Sequence, residues 1–212
     1  RLSCRFERFL GEDALELELS LAQPPMDSMV IATPFSAPRA FYYNQKINCM
    51  RASGEAVLGK RRFVFSPETS FGTLDWGRGV WTYDNTWYWG NGNGVVNGKP
   101  FGFNIGYGFG DTSAASENLL IYDGVAHKLS KVQFNIPEDS FLKPWTSSSD
   151  DGRFEMDFLP VLDRASCTDI KLIKSDQHQV FGRFTGKAVL DDGRVIEVKD
   201  FPGFAEKVEN KW

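Results

Sequence analysis

From Ala14 to Leu21 the apolar positions alternate without exception. Leu15, Leu17, Leu19 and Leu21 fall on one side of an extended chain, Glu16, Glu18 and Ser20 on the other. A period of two over that length predicts a strand in a sheet with one wet face. The same alternation returns at Val132, Phe134 and Ile136, and again at Phe154, Met156 and Phe158 between Arg153, Glu155 and Asp157. Longer runs rich in β-branched and aromatic residues cover 40–50, 56–65, 80–89, 178–190 and 194–199.

Turn signals separate these runs. Asp123-Gly124, Asp151-Gly152 and Asp192-Gly193 are pairs that favour type I′ hairpin turns, because both central residues need positive φ. Asn91-Gly92, Asn93-Gly94 and Asn97-Gly98 read as a dense turn cluster, and 146–151 as a polar surface loop. Helical signals are confined to short segments at Thr112–Asn118 and Phe204–Asn210. The pattern predicts an all-β, antiparallel meander with short helices only, closed or half-closed into a barrel; a sandwich is the alternative. The shift in composition around Gly90–Pro100 suggests a first β-unit at 1–92 and a second at 93–212, or one compact domain.

Composition agrees with that class and narrows the chemistry. Eighteen Phe, six Trp, six Tyr and twenty Gly in 212 residues disfavour a helical bundle. A net charge of −4 leaves no basic footprint for nucleic acid. No apolar run approaches the roughly 18 residues of a membrane span. Three widely spaced cysteines, Cys4, Cys49 and Cys167, form no C-x-x-C pair and read as buried free thiols. With no N-x-[ST] acceptor, this fits a reducing, cytoplasmic setting. The chain opens at Arg1 and enters an apolar pattern at once, so a preceding N-terminal segment of a longer chain is expected.

Several signatures are dismissed on spacing. The runs Gly90–Gly94 and Gly106–Gly110 do not fit G-x-G-x-x-G, and Gly94–Lys99 is one residue short of a phosphate loop, with Pro100 where a magnesium-binding hydroxyl belongs. Two histidines, His127 and His178, exclude a multi-histidine metal site. No motif calls for a cofactor or metal.

The segment Phe71–Gly94 concentrates the unusual residues: Trp76, Trp81, Trp87 and Trp89 with Tyr83 and Tyr88. On strands, Trp81 with Tyr83, and Trp87 with Trp89, share faces and supply an aromatic wall. Asp75 and Arg78 lie among them. They read either as a core ion pair orienting a turn or as an acid and its tuning partner in an apolar cavity, where desolvation raises and a guanidinium lowers the carboxyl pKa. A second cluster, Asn104, Asp111, Thr112, Ser113, Glu117 and Asn118, places Glu117 just before an apolar strand. It reads as capping and turn bonds, or as a carboxylate turned inward. A third holds Asp176 two residues before His178, on one strand face, a spacing that can set the imidazole tautomer. Asp200 and Glu206 read as helix capping and surface charge.

These clusters carry a resemblance. LDWGRGVW (74–81), WYWGNGNG (87–94), FGFNIGYGFGDTSAASEN (101–118), DGVAHKL (123–129), SDQHQVFGRFTG (175–186) and GFAEKVENKW (203–212) resemble the blocks of the family called domain of unknown function 2804. Its members usually extend further at the N-terminus. More distantly, the chain is similar to lipocalin-like proteins that include carotenoid hydratases and tocopherol cyclases. That likeness implies a calycin-type barrel or paired half-barrels acting on isoprenoid chains. Leu74-Asp75 stands where the hydratases carry Leu-Asp-His, with Trp76 in place of the histidine.

The leading expectation is an apolar small molecule, a lipid or isoprenoid, held in an aromatic cavity. If catalysis occurs, it is protonation of a C=C bond by a shielded acid. Asp75 is then the acid, Arg78 its tuner, with Glu117 and His178 as further catalytic candidates. Trp76, Trp81, Tyr83, Trp87, Trp89, Asn104 and Asp176 are the candidate ligand contacts. A non-catalytic carrier or sensor is the second reading, and a carbohydrate-binding or carbohydrate-cleaving protein the third.

Overall fold

The computed structural model describes residues 1–212, and every element in it is a strand. Six form a first antiparallel sheet: β1 (Leu2–Leu10), β2 (Asp13–Ala22), β3 (Met29–Pro34), β4 (Phe41–Leu58), β5 (Arg61–Phe65) and β6 (Phe71–Val80). Nine form a second: β7 (Asp84–Val96), β8 (Lys99–Tyr107), β9 (Leu119–Tyr122), β10 (Val125–Lys128), β11 (Val132–Asn135), β12 (Trp145–Ser149), β13 (Phe154–Asp169), β14 (Lys174–Val189) and β15 (Val195–Lys211). The fold is all-β, two antiparallel curled half-barrels, and the chain passes from one sheet to the other between Val80 and Asp84. No helix is long and apolar enough to cross a membrane.

In the first sheet the 18-residue β4 is the spine. Its first half pairs with β3 on one side and β6 on the other, its second half with β2 and β5. The alternating leucines of β2 are half-buried and its glutamates exposed, as one wet face requires. The pairing of β4 with β6 shifts between Ile47 and Met50, where Cys49 takes a φ of 55°. This bulge bends β4 across the second sheet.

The second sheet runs β10-β9-β8-β7-β15-β14-β13-β12-β11 and curls until its ends approach, the amide of Phe134 donating to the Tyr107 hydroxyl at 3.3 Å. Its concave face holds the main core, with Phe101, Phe103, Phe154, Phe158, Phe184 and Trp145 all essentially inaccessible.

Strand β7 is the wall shared by both sheets, and its alternation explains WYWGNGNG. Tyr88, Gly90, Gly92 and Gly94 point into the phenylalanine core, while Trp87, Trp89, Asn91 and Asn93 point at the first sheet. A Cβ on Gly92 would stand 2.7 Å from the Phe103 ring, so a side chain there is excluded by rings, not by backbone strain. The turn cluster expected at 91–98 is therefore strand except at Asn97-Gly98, whose φ values of 52° and 73° fit a type I′ turn. Asp123-Gly124 has both φ values positive as well; in Asp151-Gly152 and Asp192-Gly193 only the glycine does, so those two turns are of other types.

Both expected helices are absent. Thr112–Asn118 is irregular chain, and Phe204–Asn210 lies within β15, hydrogen-bonded to β7 on one side and β14 on the other. Ladder pairing on two edges overrides the helix preference of its glutamates and lysine. The cysteines also differ from expectation: only Cys49 is buried, Cys4 is half-buried and Cys167 is exposed.

The joint between the sheets is polar. Asn48 Nδ2 donates to Asn93 Oδ1 at 3.1 Å and to the Phe103 carbonyl at 3.0 Å, and the Cys49 amide donates to Asn93 Oδ1 at 2.8 Å. Thr73 Oγ1 donates to Asn91 Oδ1 and accepts from Asn93 Nδ2. These amides satisfy one another where β4 and β6 cross β7, which holds the two sheets in a fixed relation.

Candidate functional site

Beside that joint the two sheets part and enclose a cavity of about 240 Å³. From the first sheet, Tyr42, Asn44 and Lys46 reach it on one face of β4, with Ile31 and Thr33 of β3 and Asp75 of β6. From the second come Trp87 and Trp89 of β7, Tyr107 of β8 and Glu206 of β15. Trp81 closes it from the link between the sheets. The segment between β8 and β9 adds Phe109, Thr112 and Glu117.

Its aromatic wall is built around Phe109, whose ring meets Tyr42, Trp87 and Trp81 at centroid distances of 5.0, 5.2 and 5.8 Å, the first two edge-to-face. Phe109 sits between Gly108 and Gly110, both with positive φ. The indole N–H groups are drawn back into the protein. Trp87 Nε1 donates to Glu206 Oε1 at 2.9 Å and Trp89 Nε1 to Asn104 Oδ1 at 2.7 Å.

The polar end centres on Lys46, whose side chain is only 5% exposed. Its Nζ lies 2.7 Å from Glu117 Oε2, 3.9 Å from Asp75 Oδ2 and 3.8 Å from the centroid of a Trp89 ring. Such a cation is tolerable here because a carboxylate and an aromatic face replace its water. Asn104 Nδ2 donates to both the backbone carbonyl and Oε2 of Glu117, fixing that carboxylate toward the lysine. Glu206 accepts from neutral donors only, Trp87 and, through Oε2 at 3.0 Å, Gln179.

Three carboxyls and one ammonium share this space. Burial raises the pKa of Asp75; Lys46 opposes this and Glu117 adds to it. Burial raises that of Glu206 as well, against the hydrogen bonds from Trp87 and Gln179. The Tyr42 phenol is pushed up by burial and by the charges of Asp75 and Glu117. Asp75 and Glu206 thus bind their protons more tightly in the folded chain than in the unfolded one. Their contribution to stability is complete below the ordinary carboxyl range and is lost as pH rises through their higher folded values. We expect the stability of the wild-type chain to fall across that interval relative to Glu206→Gln, measured as the difference between their urea midpoints. Midpoint curves that run parallel would mean that Glu206 is already ionised there.

The expected site residues divide by strand face. Asp75, Trp81, Trp87, Trp89 and Glu117 come together at the cavity, with Asn104 directly behind Trp89 and Glu117. Arg78 and Trp76 do not join them. Each is an odd number of residues from Asp75 on β6 and projects from the opposite face, where Trp76 packs edge-to-face on Tyr43. Asp75 is accompanied by Lys46 instead of Arg78. Tyr83 is exposed, its hydroxyl donating to the Leu172 carbonyl. His178 and Asp176 lie in a separate cluster. The imidazole stacks on Phe141 at 3.8 Å and its Nδ1 is 2.7 Å from Asp163 Oδ2, whereas Asp176 is 3.8 Å from Nε2. Gln179, one residue on, turns to the other face and reaches Glu206.

Lys46, Tyr42, Asn44, Phe109 and Glu206 line the cavity without standing among the site candidates legible in the sequence. Lys46, Asn44 and Tyr42 alternate along β4, a period-two polar face within an apolar run that was the available signal. Glu206 is surface charge only on a helix at 204–210; within β15 it is buried.

No curated protein matches the chain. Among solved structures it is similar to a crystal structure of CghA with Sch210972, at 9% identity and a TM-score of 0.41, the match covering 94% of this chain and 67% of that one. Residues 1–212 match the family model described as domain of unknown function DUF2804, and the chain belongs to that family.

Proposed function

We propose that the chain binds a small, largely apolar molecule between its two sheets and that Asp75 protonates a C=C bond of it. The observation that carries this reading is the aromatic cavity with Asp75 at its rim, a carboxyl whose side chain is 34% exposed and whose pKa is raised by partial desolvation. A cavity of about 150 Å³ takes one benzene ring. By that measure this one, at about 240 Å³, admits about ten non-hydrogen atoms. A compact ligand fits whole, and of a long isoprenoid only the reacting end enters.

In the step itself the alkene electron pair takes the Asp75 proton, forming a C–H bond and leaving a cation on the neighbouring carbon and a carboxylate on Asp75. Lys46, 3.9 Å away, stabilises that carboxylate. The indole faces stabilise the cation. Loss of a proton back to Asp75 gives isomerisation; attack by water, with its proton returned to Asp75, gives hydration; attack by a second double bond, followed by loss of a proton from the new cation to Asp75, gives cyclisation. General acid catalysis of this kind contributes about 10²–10⁴ in rate.

Organic extraction of the purified protein, followed by mass spectrometry, identifies the bound molecule. With that molecule or an alkene analogue, Asp75→Asn is expected to lower turnover about 10²–10⁴-fold while binding stays within about twofold of wild type. An unchanged rate removes Asp75 as the acid. Retained ligand without turnover in either protein identifies a carrier. A sugar-stacking site needs exposed, coplanar indoles; Trp87 and Trp89 are half-buried with their N–H groups committed to Glu206 and Asn104, which favours the apolar ligand.

A further inference from the structure

The polar atoms around the cavity are unevenly matched. Lys46, its single ammonium, is engaged by Glu117 at 2.7 Å. Glu206, 7% exposed, has neutral donors on both oxygens and no cation within ion-pair distance. Asn44, 2% exposed, belongs to the same wall, and its Oδ1, which has no hydrogen-bond donor, is itself inaccessible from the cavity. The remaining charged groups nearby are Asp75, which adds a second carboxyl, and Lys128, which lies beyond Glu117 with its Nζ donating to the Ser116 carbonyl. The cavity is therefore rich in acceptors and short of cations, under walls of Tyr42, Trp81 and Trp87 whose faces attract positive charge.

We infer that the ligand carries a protonated amine on a compact apolar body, with Glu206 as its counter-charge. This rests on the reading of the cavity as a small-molecule site, and it leaves Asp75 free to act on a double bond elsewhere in the ligand. An anionic ligand would add to an unbalanced negative charge, and a purely hydrocarbon one would leave Glu206 with neutral donors only.

Three probes of one shape test it: 2-phenylethylamine, protonated at neutral pH, 2-phenylethanol and phenylacetate. Binding to the full chain is followed by NMR shifts of the indole Nε1–H groups of Trp87 and Trp89, which report the cavity and not the acidic surface. The amine is expected to bind about tenfold or more tightly than the alcohol, and phenylacetate more weakly than either. Glu206→Gln should bring the amine down to about the affinity of the alcohol and leave the alcohol unchanged. An alcohol that matches the amine overturns the inference while the small-molecule site stands. An amine preference that survives Glu206→Gln overturns the assignment of Glu206. If none of the three shifts the indoles, both the inference and the site on which it rests fall.

Discussion

Lys46→Met should destabilise the folded chain by about 3 kcal/mol at neutral pH, the lower end of what is lost when one partner of a buried ion pair is removed. Methionine fills the space of the lysine stem, so little of the loss comes from packing. The loss comes from Glu117, whose side chain is 18% exposed and would be left with Asn104 Nδ2 as its remaining side-chain partner. Asp75 would lose its neighbouring cation in the same substitution. The partner change tells these contributions apart. In Lys46→Met/Glu117→Gln the uncompensated charge is gone, and the double variant should recover most of the loss. Urea unfolding with an unchanged slope and a shifted midpoint is the measurement. A single variant within about 0.5 kcal/mol of wild type would show that the lysine is not held as a buried cation.

Phe103→Ala is expected to destabilise the second sheet by about 3–5 kcal/mol. The ring is fully buried and contacts Phe184 and Phe154 at centroid distances of 4.9 and 5.2 Å, with Phe101 and Phe201 beside it. Gly92→Ala approaches the same point from the other side: its Cβ would lie 2.7 Å from that ring, an overpacking that costs about 1–3 kcal/mol. Because the new methyl needs the volume that the ring occupies, the two costs should not add. Gly92→Ala made in the Phe103→Ala background should be nearly neutral, and a simple sum of the two losses would mean that the ring is not what excludes a side chain at position 92.

That pair bears on what could be read beforehand. Asn-Gly repeats are strong turn signals locally, and nothing near Gly92 in sequence announces that Phe103 and Phe201 will lie under it. The strands with one wet face were legible, since a period of two survives without knowledge of the partner: β2, β11 and the start of β13 stand where alternation placed them. Segment 204–210 was not, because its two glutamates and its lysine suit a helix as well as a strand paired on both edges, where none of them is exposed. For the site, alternation separated Trp87 and Trp89 from Tyr88 correctly. Applied to β6, it would also have separated Asp75 from Arg78, three residues apart and so on opposite faces.

The sequence by itself determined the class of the fold, the positions of its half-exposed strands and the density of aromatic residues around Asp75, because local periodicity and composition depend only on neighbours along the chain. Which cation stands beside Asp75 was decided by the pairing of β4 with β6, where Lys46 faces it, and the meeting of Lys46 with Glu117 and the place of the cavity by the crossing of β4 over β7, which brings residues about 70 to 160 positions apart to one point. Long-range pairing of that kind is a property of the assembled sheets: a lysine at position 46 is an ordinary charged side chain until Glu117 and Trp89 replace its water.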